Sequence, residues 1–249
     1  MKLKILGCYA PSWKYKKNKV SCYKLINNDK NIILDMGYYM YKSFTVQDLE
    51  KSKVFISHNH VDHSYGLFQL MFKLDKTNTK LNNKIDIYMP EKSKFKNLFK
   101  ALEVTKNTIV HAINKDLEVQ IDNLVFTFCE TIHKGESYAI KILNKENNKI
   151  FVYTSDIATI DDKLINFCKG ADEIMMEAGH SVNFQPFTLG KYHGYTKDLS
   201  KEILKTGVDK IYITHYKSYA NEEKIRKFLP KEMQDKFYIV KQGEEIDIL

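Results

Sequence analysis

The sequence predicts an α/β fold, a sandwich of mixed sheets with helices placed between the strands. Short runs of β-branched and aromatic residues recur along the whole chain, and turn-forming pairs such as Asp122-Asn123 join neighbouring runs into hairpins. Segments with apolar residues three and four positions apart lie between these runs. Because hairpins come first and helices are interspersed, the pattern favours a mixed sandwich over a doubly wound parallel sheet.

The predicted strands are short and are separated by turn residues, as in Asn27-Asn28-Asp29. In chain order they are Lys2–Leu6, Val20–Ile26, Asn31–Leu34, Val54–Ser57, Ile85–Met89, Leu117–Ile121, Leu124–Glu130, Tyr138–Leu143, Ile150–Thr154, Glu173–Met176, Lys210–Thr214 and Phe237–Val240.

Helices are fewer, and Pro230 ends the last of them. Apolar spacing predicts them at Leu67–Lys73, Ser93–Leu102, Asp162–Cys168, Lys197–Lys205 and Asn221–Phe228.

Composition bounds the class of protein. The chain has 249 residues, of which 43% are hydrophobic, so it can bury a core and is not disordered throughout. We expect one domain over residues 1–249, with pseudo-halves at about 1–148 and 149–249. The formal net charge of +8 invites a nucleic-acid interpretation. Arg226 is the only arginine, however, and arginine is the residue preferred for bidentate phosphate recognition. The charge therefore defines no nucleic-acid interface by itself.

The cysteines and the hydropathy indicate a cytoplasmic protein. The cysteines form no Cys-x-x-Cys pair, and a chain of this length needs no disulfide staples, so we expect reduced thiols. They are Cys8, Cys22, Cys129 and Cys168. No apolar run approaches the ~20 residues of a membrane span. We therefore expect no membrane association.

One segment carries a recognisable chemistry, the run His58-Asn59-His60-Val61-Asp62-His63 after an apolar strand. Packing does not require such a cluster, because buried imidazoles and carboxylates would need partners. Imidazole nitrogens and carboxylate oxygens are ligands suited to Zn²⁺ and similar ions. In an extended strand exit, His58 and His60 point the same way. Asp62 and His63 follow in the next turn and can serve a second ion.

Further metal-competent residues come at the ends of later predicted strands. His133 follows Leu124–Glu130, Asp156 follows Ile150–Thr154, and His215 follows Lys210–Thr214. Sites are commonly built on loops that a rigid sheet positions. The sequence thus predicts one shared centre for these side chains.

The His-x-His-x-Asp-His motif with these later residues resembles the signature of the metallo-β-lactamase superfamily, over essentially the whole chain. The resemblance implies a four-layer αββα sandwich with two divalent ions, Zn²⁺ or alternatively Mn²⁺ or Fe²⁺. It implies that one ion is held by His58, His60 and His133. It implies that the other is held by Asp62, His63 and His215, with Asp156 as the bridge.

Two further segments resemble the ribonuclease Z-like branch. Glu177 ends an acidic-apolar segment, and His193 precedes a helix whose Thr196 lies one position later than in the branch pattern. The resemblance implies that His193 assists the leaving oxygen and that Glu177 orients His193; His180 is the alternative histidine. Only 23 residues separate His133 from Asp156, so the long tRNA-gripping arm of that branch is absent.

The expected function is hydrolysis of a nucleotide or small phosphodiester by a metal-bridged hydroxide, with Asp62 as ligand and proton acceptor. A lactone or thioester hydrolase on the same centre is the alternative. A tRNA 3′-end endoribonuclease and a non-catalytic RNA-binding protein fit less well, because the arm is missing and the ligand set is complete. Classical β-lactamases use another second-metal set, and the di-iron branch carries Glu where this chain has His60. The branch also makes a homodimer an open possibility.

Three other features are expected to lie outside the ligand set. Asp35, in Leu34-Asp35-Met36-Gly37, is expected to support the ligands from behind. His111 is expected to be a satisfied core or edge residue. The run Lys16-Lys17-Asn18-Lys19 is expected to be a solvated loop, with phosphate steering as the alternative.

Overall fold

The computed structural model describes residues 1–12, 17–93, 106–178, 193–217 and 220–248. The chain divides into two compact units. Unit 1 comprises Met1–Ile113 and Lys241–Asp247, and unit 2 comprises Asn114–Val240 and Ile248–Leu249. Each unit contains one seven-stranded mixed sheet.

The sheet of unit 1 changes from antiparallel to parallel pairing at its central strand. Its strands are β1 (Lys2–Gly7), β2 (Cys22–Asn27), β3 (Lys30–Leu34), β4 (Ser52–Phe55), β5 (Ile85–Pro90), β6 (Thr108–Ile113) and β14 (Glu245–Asp247). The spatial order is β14-β1-β2-β3-β4-β5-β6. Pairing is antiparallel from β14 to β3 and parallel from β3 to β6.

The sheet of unit 2 repeats this plan. Its strands are β7 (Glu118–Ile121), β8 (Leu124–Glu130), β9 (Tyr138–Asn144), β10 (Lys149–Tyr153), β11 (Glu173–Glu177), β12 (Lys210–Thr214) and β13 (Phe237–Ile239). Pairing is antiparallel from β7 to β10 and parallel from β10 to β13. The strand β3 of unit 1 therefore corresponds to β10 of unit 2.

The residues that follow these two central strands adopt unusual backbone conformations. Asp35, directly after β3, has φ 58°, and Ser155, two residues after β10, has φ 57°. His215, directly after β12, has φ 49°. Left-handed backbone is uncommon for residues other than glycine and concentrates where the surrounding structure enforces it. Both sheets thus place strained residues at strand ends that carry predicted site residues.

Five α-helices connect the strands. They are α1 (Val46–Glu50), α2 (Val61–Lys76), α3 (Asp162–Cys168), α4 (Thr196–Leu204) and α5 (Glu222–Arg226) among the described residues. The longest, α2, buries Leu67, Leu70, Met71 and Leu74 against the core of unit 1. This spacing of three and four residues is what an amphipathic helix requires.

Most predicted elements are confirmed, with shifted ends. The ranges of β8, β12 and α3 match the prediction, whereas α2 starts six residues earlier than predicted. The strands β6 and β14 and the helix α1 were not predicted. The predicted helix Ser93–Leu102 lies largely outside the described residues.

All four cysteines are buried free thiols. Within the described ranges, none of the helices combines the length and the apolar character needed to cross a bilayer.

Candidate metal centre

The first group of predicted ligands lies in the loop after β4 and in the first turn of α2, in unit 1. His58 and His63 are fully buried, Asp62 is buried, and His60 is half-buried. His60 is the N-cap residue of α2, so Asp62 and His63 belong to the first helical turn. Asp62 thereby also places a negative charge at the positive end of the helix dipole. The motif therefore spans a strand exit, as predicted, and the start of α2, which was predicted six residues later.

Neighbouring side chains of this group lie at distances that metal binding requires. The Nε2 atom of His58 lies 3.0 Å from Nδ1 of His60. The His58 and His63 rings have centroids 4.2 Å apart, and His63 Nε2 lies 3.5 Å from Asp62 Oδ2. Two nitrogens bound tetrahedrally to Zn²⁺ at 2.0–2.1 Å lie about 3.4 Å from each other. The donor types and spacings of unit 1 therefore fit a divalent metal.

Asp35 fixes the orientation of two of these imidazoles. Its buried carboxylate accepts hydrogen bonds from the Ser57 backbone N–H (2.7 Å) and Oγ–H (2.9 Å), and Oδ2 lies 2.8 Å from His63 Nδ1. Ser57 Oγ lies 3.0 Å from His58 Nδ1. Because the Ser57 hydroxyl proton goes to Asp35, its oxygen accepts from His58 Nδ1–H. Both histidines thus present Nε2 as the ligand atom, an arrangement typical of metal-binding histidines.

Glycine is required next to this network. A Cβ atom on Gly37 would lie 2.1 Å from the Asp62 carbonyl oxygen, and one on Gly66 would lie 2.1 Å from the Gly37 carbonyl oxygen. The Met36 backbone N–H donates to the His63 carbonyl at 2.7 Å. Close backbone approach therefore holds the Asp35 loop against the first turn of α2.

A second group of predicted site residues, ligands together with Glu177, lies at strand ends of unit 2. Asp156 follows β10, Glu177 ends β11, and His215 follows β12. Nδ1 of His215 lies 3.4 Å from Asp156 Oδ1 and 3.9 Å from Glu177 Oε2. Asp156, Glu177, His193 and His215 each offer one ligand atom within 4.8 Å of the others. Parallel strands deliver these side chains to one edge of the sheet, as expected.

Glu177 contacts both the loop after β10 and His193. It accepts a short hydrogen bond from the Ile157 backbone N–H, and its Oε2 lies 2.8 Å from His193 Nδ1. Burial alone would lower the pKa of His193. The charge and hydrogen bond of Glu177, with the charge of Asp156, outweigh this and raise that pKa to about 9. The raised pKa favours the protonated imidazole, which carries a proton on both ring nitrogens.

His133 also belongs to unit 2 and follows β8. Its ring centroid lies 5.3 Å from that of His193, and one of its ring nitrogens lies within 4.8 Å of an Asp156 oxygen. The chain between His133 and Asp156 forms the β9–β10 hairpin. A tRNA-gripping arm is thus absent from this fully described segment.

Other predicted residues have different positions. His111 is half-buried on β6, with Nε2 2.8 Å from Asp86 Oδ1, which makes it a satisfied edge residue. His180 and Lys16 lie outside the described residues. Sequence analysis missed Ser57 as the link between Asp35 and His58, although a hydroxyl residue directly before a strand-end histidine recurs at Thr214-His215. It also missed Lys217, whose positive charge acts against the raised pKa of His193.

The fold is that of the metallo-β-lactamase fold proteins, and its histidine and carboxylate donor sets are candidate metal-binding groups. The family described as "Anti-Pycsar protein Apyc1" matches residues 1–246. The chain belongs to that family.

Two curated relatives are named as ribonucleases. "Probable RNase MJ4" of Methanocaldococcus jannaschii is 29% identical over 61% of this chain. Mitochondrial ribonuclease Z 2 of Schizosaccharomyces pombe is 25% identical over 86% of this chain. The matches span only 38% and 34% of the length of those two proteins.

Solved structures share the whole fold. The metallo-β-lactamase fold protein YhfI from Bacillus subtilis has a TM-score of 0.80, with 22% identity and 98% of both chains covered. A diphosphatase from the PhnP family has a TM-score of 0.75, with 15% identity over 98% of this chain and 96% of its own. The predicted fold class is confirmed.

Proposed function

We propose that this protein hydrolyses a small phosphodiester, such as a nucleotide diester, at a centre of two divalent metal ions. The observation that carries the proposal is the Glu177–His193 pair beside Asp156. A half-buried imidazolium held by a carboxylate can supply a proton to a departing alkoxide, which phosphodiester cleavage requires. Neighbours that include a PhnP-family diphosphatase and ribonuclease Z support phosphate chemistry.

The proposed ligand sets follow the family pattern. His58, His60 and His133 would hold one ion, Asp62, His63 and His215 would hold the other, and Asp156 would be a ligand common to both. Zn²⁺ is the proposed metal, with Mn²⁺ or Fe²⁺ as alternatives, since imidazole and carboxylate donors suit all three. When bound, such a pair of ions polarises the phosphoryl oxygens and makes water a nucleophile at neutral pH.

The chain's own residues supply orientation and proton transfer. Asp35 and Ser57 hold His58 and His63 in the tautomer that binds a metal through Nε2. Asp62 accepts the proton of the attacking water. His193 donates its Nε2 proton to the leaving oxygen, and Glu177 stabilises its charged form and fixes its ring.

The proposed substrate is small, because the β9–β10 hairpin takes the place of a tRNA-gripping arm. Lysine excess and the net charge of +8 support attraction of an anion without sequence preference. We also propose a single hydrolase domain, a cytoplasmic location, in line with four free thiols, and a homodimer.

A substrate panel tests the proposed function. The wild-type protein, loaded with Zn²⁺ or Mn²⁺, is assayed on bis-p-nitrophenyl phosphate, on a lactone and on a thioester. His63→Ala removes a proposed ligand. His111→Ala is the matched control, because His111 lies on the edge strand β6 and contacts Asp86. We expect diester turnover in the wild type and in His111→Ala, and a loss of several orders of magnitude in His63→Ala.

Three results would contradict the proposal. Full diester turnover by His63→Ala would exclude the metal centre from the reaction. Turnover of the lactone or thioester with no turnover of any diester would establish the acyl hydrolase instead. RNA affinity that persists at high salt without cleavage would indicate an RNA-binding protein.

A further inference from the structure

Asn59 lies between two proposed ligands, and its side chain extends away from them. His60, directly after it, has extended backbone with φ −66° and ψ 148°. Successive side chains of an extended segment point in opposite directions, so Asn59 faces away from the side that His58 and His60 share. There the Ser93 hydroxyl donates to Asn59 Oδ1 at 2.7 Å. Asn59 therefore belongs to the loop that carries the ligands but not to the ligand set.

Ser93, the partner of this amide, is itself fixed in place. It follows β5, is 1% exposed, and its backbone N–H donates to the Pro90 carbonyl at 2.9 Å. The same turn is attached to β6, because the Glu91 N–H donates to the Ile113 carbonyl at 3.1 Å. A buried hydroxyl requires a hydrogen-bond partner, and the Asn59 side chain supplies it. This bond, which we name the Asn59–Ser93 tether, joins the loop after β4 to the turn after β5.

The other side of His60 is held by the start of α2. The His60 carbonyl accepts hydrogen bonds from the backbone N–H groups of His63 and Ser64, both at 3.0 Å. It also accepts one from the Ser64 hydroxyl at 2.9 Å. The backbone of His60 is therefore fixed after the residue by α2 and before it by the Asn59–Ser93 tether.

Backbone position matters at His60 because its ring is oriented differently from that of His58. His58 presents Nε2, while its Nδ1 contacts Ser57. In His60 it is Nδ1 that lies 3.0 Å from His58 Nε2, so Nδ1 is the atom able to share an ion with it. Nδ1 is one bond closer to the backbone than Nε2 is. A displacement of the His60 backbone therefore moves this ligand atom directly.

We propose that Asn59 is a positioning residue, whose bond to Ser93 sets the affinity of the ion proposed to bind His58, His60 and His133. This inference rests on the ligand sets proposed above. The ligands proposed for the other ion lie on α2 and in unit 2, and the tether contacts neither. Loss of the tether should therefore weaken the binding of one ion much more than that of the other.

Metal titration of four variants tests this role. Asn59→Leu keeps the size of the side chain and removes the acceptor, Ser93→Ala removes the donor, and Ser93→Thr retains the hydroxyl. Ser52→Ala is the matched control, because it deletes another buried hydroxyl, which donates to the Asp48 carbonyl at the opposite end of β4. Metal-free protein is titrated with Co²⁺, whose visible absorption reports each binding step. Zn²⁺ content is then measured at a buffered concentration of free Zn²⁺.

The two variants that break the tether should change the affinity for one ion. We expect Asn59→Leu and Ser93→Ala to bind one of two ions about 10–100-fold more weakly and the other almost as the wild type does. Ser93→Thr and Ser52→Ala should bind both ions as the wild type does. The double variant Asn59→Leu/Ser93→Ala should be no worse than either single variant, because both changes remove the same bond.

The outcomes separate this inference from the proposed function. If Asn59→Leu and Ser93→Ala are folded by circular dichroism and bind both ions as the wild type does, or bind both equally more weakly, the inference is overturned. A wild-type protein that binds fewer than two ions overturns the inference together with the ligand sets. A wild-type protein that binds two ions and cleaves no diester overturns the proposed function alone.

Discussion

Asp35 and His63 lie 28 residues apart in the chain, yet Asp35 Oδ2 is 2.8 Å from His63 Nδ1 in a fully buried pair. The same carboxylate holds Ser57, which in turn contacts His58. One acidic side chain that is not itself a proposed ligand therefore orients two ligands.

This relationship predicts the effect of Asp35→Asn. The amide keeps the shape but cannot accept all the hydrogen bonds of the carboxylate, so both imidazoles lose their fixed orientation. We expect metal affinity to fall by about 10–100-fold, measured by competition with a chromophoric chelator. Asp86→Asn is the control, because Asp86 bonds to His111 on the edge strand. Equal metal affinity for both variants would contradict the role of Asp35.

Metal removal should lower thermal stability. Ligand binding to the folded state stabilises it in proportion to the logarithm of free ligand over its dissociation constant. We expect the Tm to fall after treatment with a chelator and to recover on addition of Zn²⁺, followed by differential scanning calorimetry. In Asp156→Ala, which removes the proposed bridge, this response should shrink. A Tm that ignores both chelator and metal would argue against a resident ion.

His193 and Glu177 should affect turnover more than metal content. For His193→Gln we expect kcat on a poor-leaving-group diester to fall by about 10²–10⁴-fold, with KM nearly unchanged, because proton donation acts in the transition state. Glu177→Gln removes the charge that holds the imidazolium and should act in the same direction.

A diester with a good leaving group serves as the internal control. It needs little protonation, so the two variants should be far less impaired on it. Equal losses on both diesters would indicate that His193 has a different role. Metal analysis of the purified variants shows whether the ions are still bound.

The N-terminus of α1 should make stability depend on acid. Burial alone would raise the pKa of Asp48, but hydrogen bonds from Lys24 and Thr45 outweigh it and lower that pKa to about 2. The folded pKa is thus below the ordinary value of 3.8, so the stabilisation is complete above that value and is lost as pH falls towards 2. In Asp48→Asn, the midpoint of urea denaturation should depend less on pH over this interval.

The capping residue offers an independent check on α1. Thr45 and Asp48 form a capping box, in which each side chain bonds to the backbone of the other. At pH 7, Thr45→Ala should lower the free energy of unfolding by about 1 kcal/mol. An unchanged midpoint in urea would contradict this contribution.

Elements with a weak local residue pattern were the hardest to predict. Most apolar strands and the metal motif were visible in the sequence because both depend on local residue patterns. The strand β14 was not, since it has one apolar residue and pairs with β1 at the other end of the chain. The start of α2 was missed because Asp62, His63 and Ser64 occupy positions where apolar periodicity would show.

The residues around the proposed ligands also differed in how far the sequence revealed their roles. Asp-x-Gly at residues 35–37 predicted a supporting role for Asp35, and its carboxylate contacts Ser57 and His63. The role of Ser57 depends on a hydrogen-bond chain between residues 22 positions apart, which no local pattern reveals. The pairing of Glu177 with His193 followed only from the family resemblance, and the structure places them in contact.

The left-handed backbone at Asp35, Ser155 and His215 has a consequence for laboratory evolution. Glycine or asparagine at Ser155, which is not a proposed ligand, would relieve conformational strain, so a selection for heat resistance should enrich such replacements there. At Asp35 and His215 the same replacements would also weaken metal binding, and with it the stability that bound metal provides. Heat-resistant variants should therefore change Ser155 and keep Asp35 and His215.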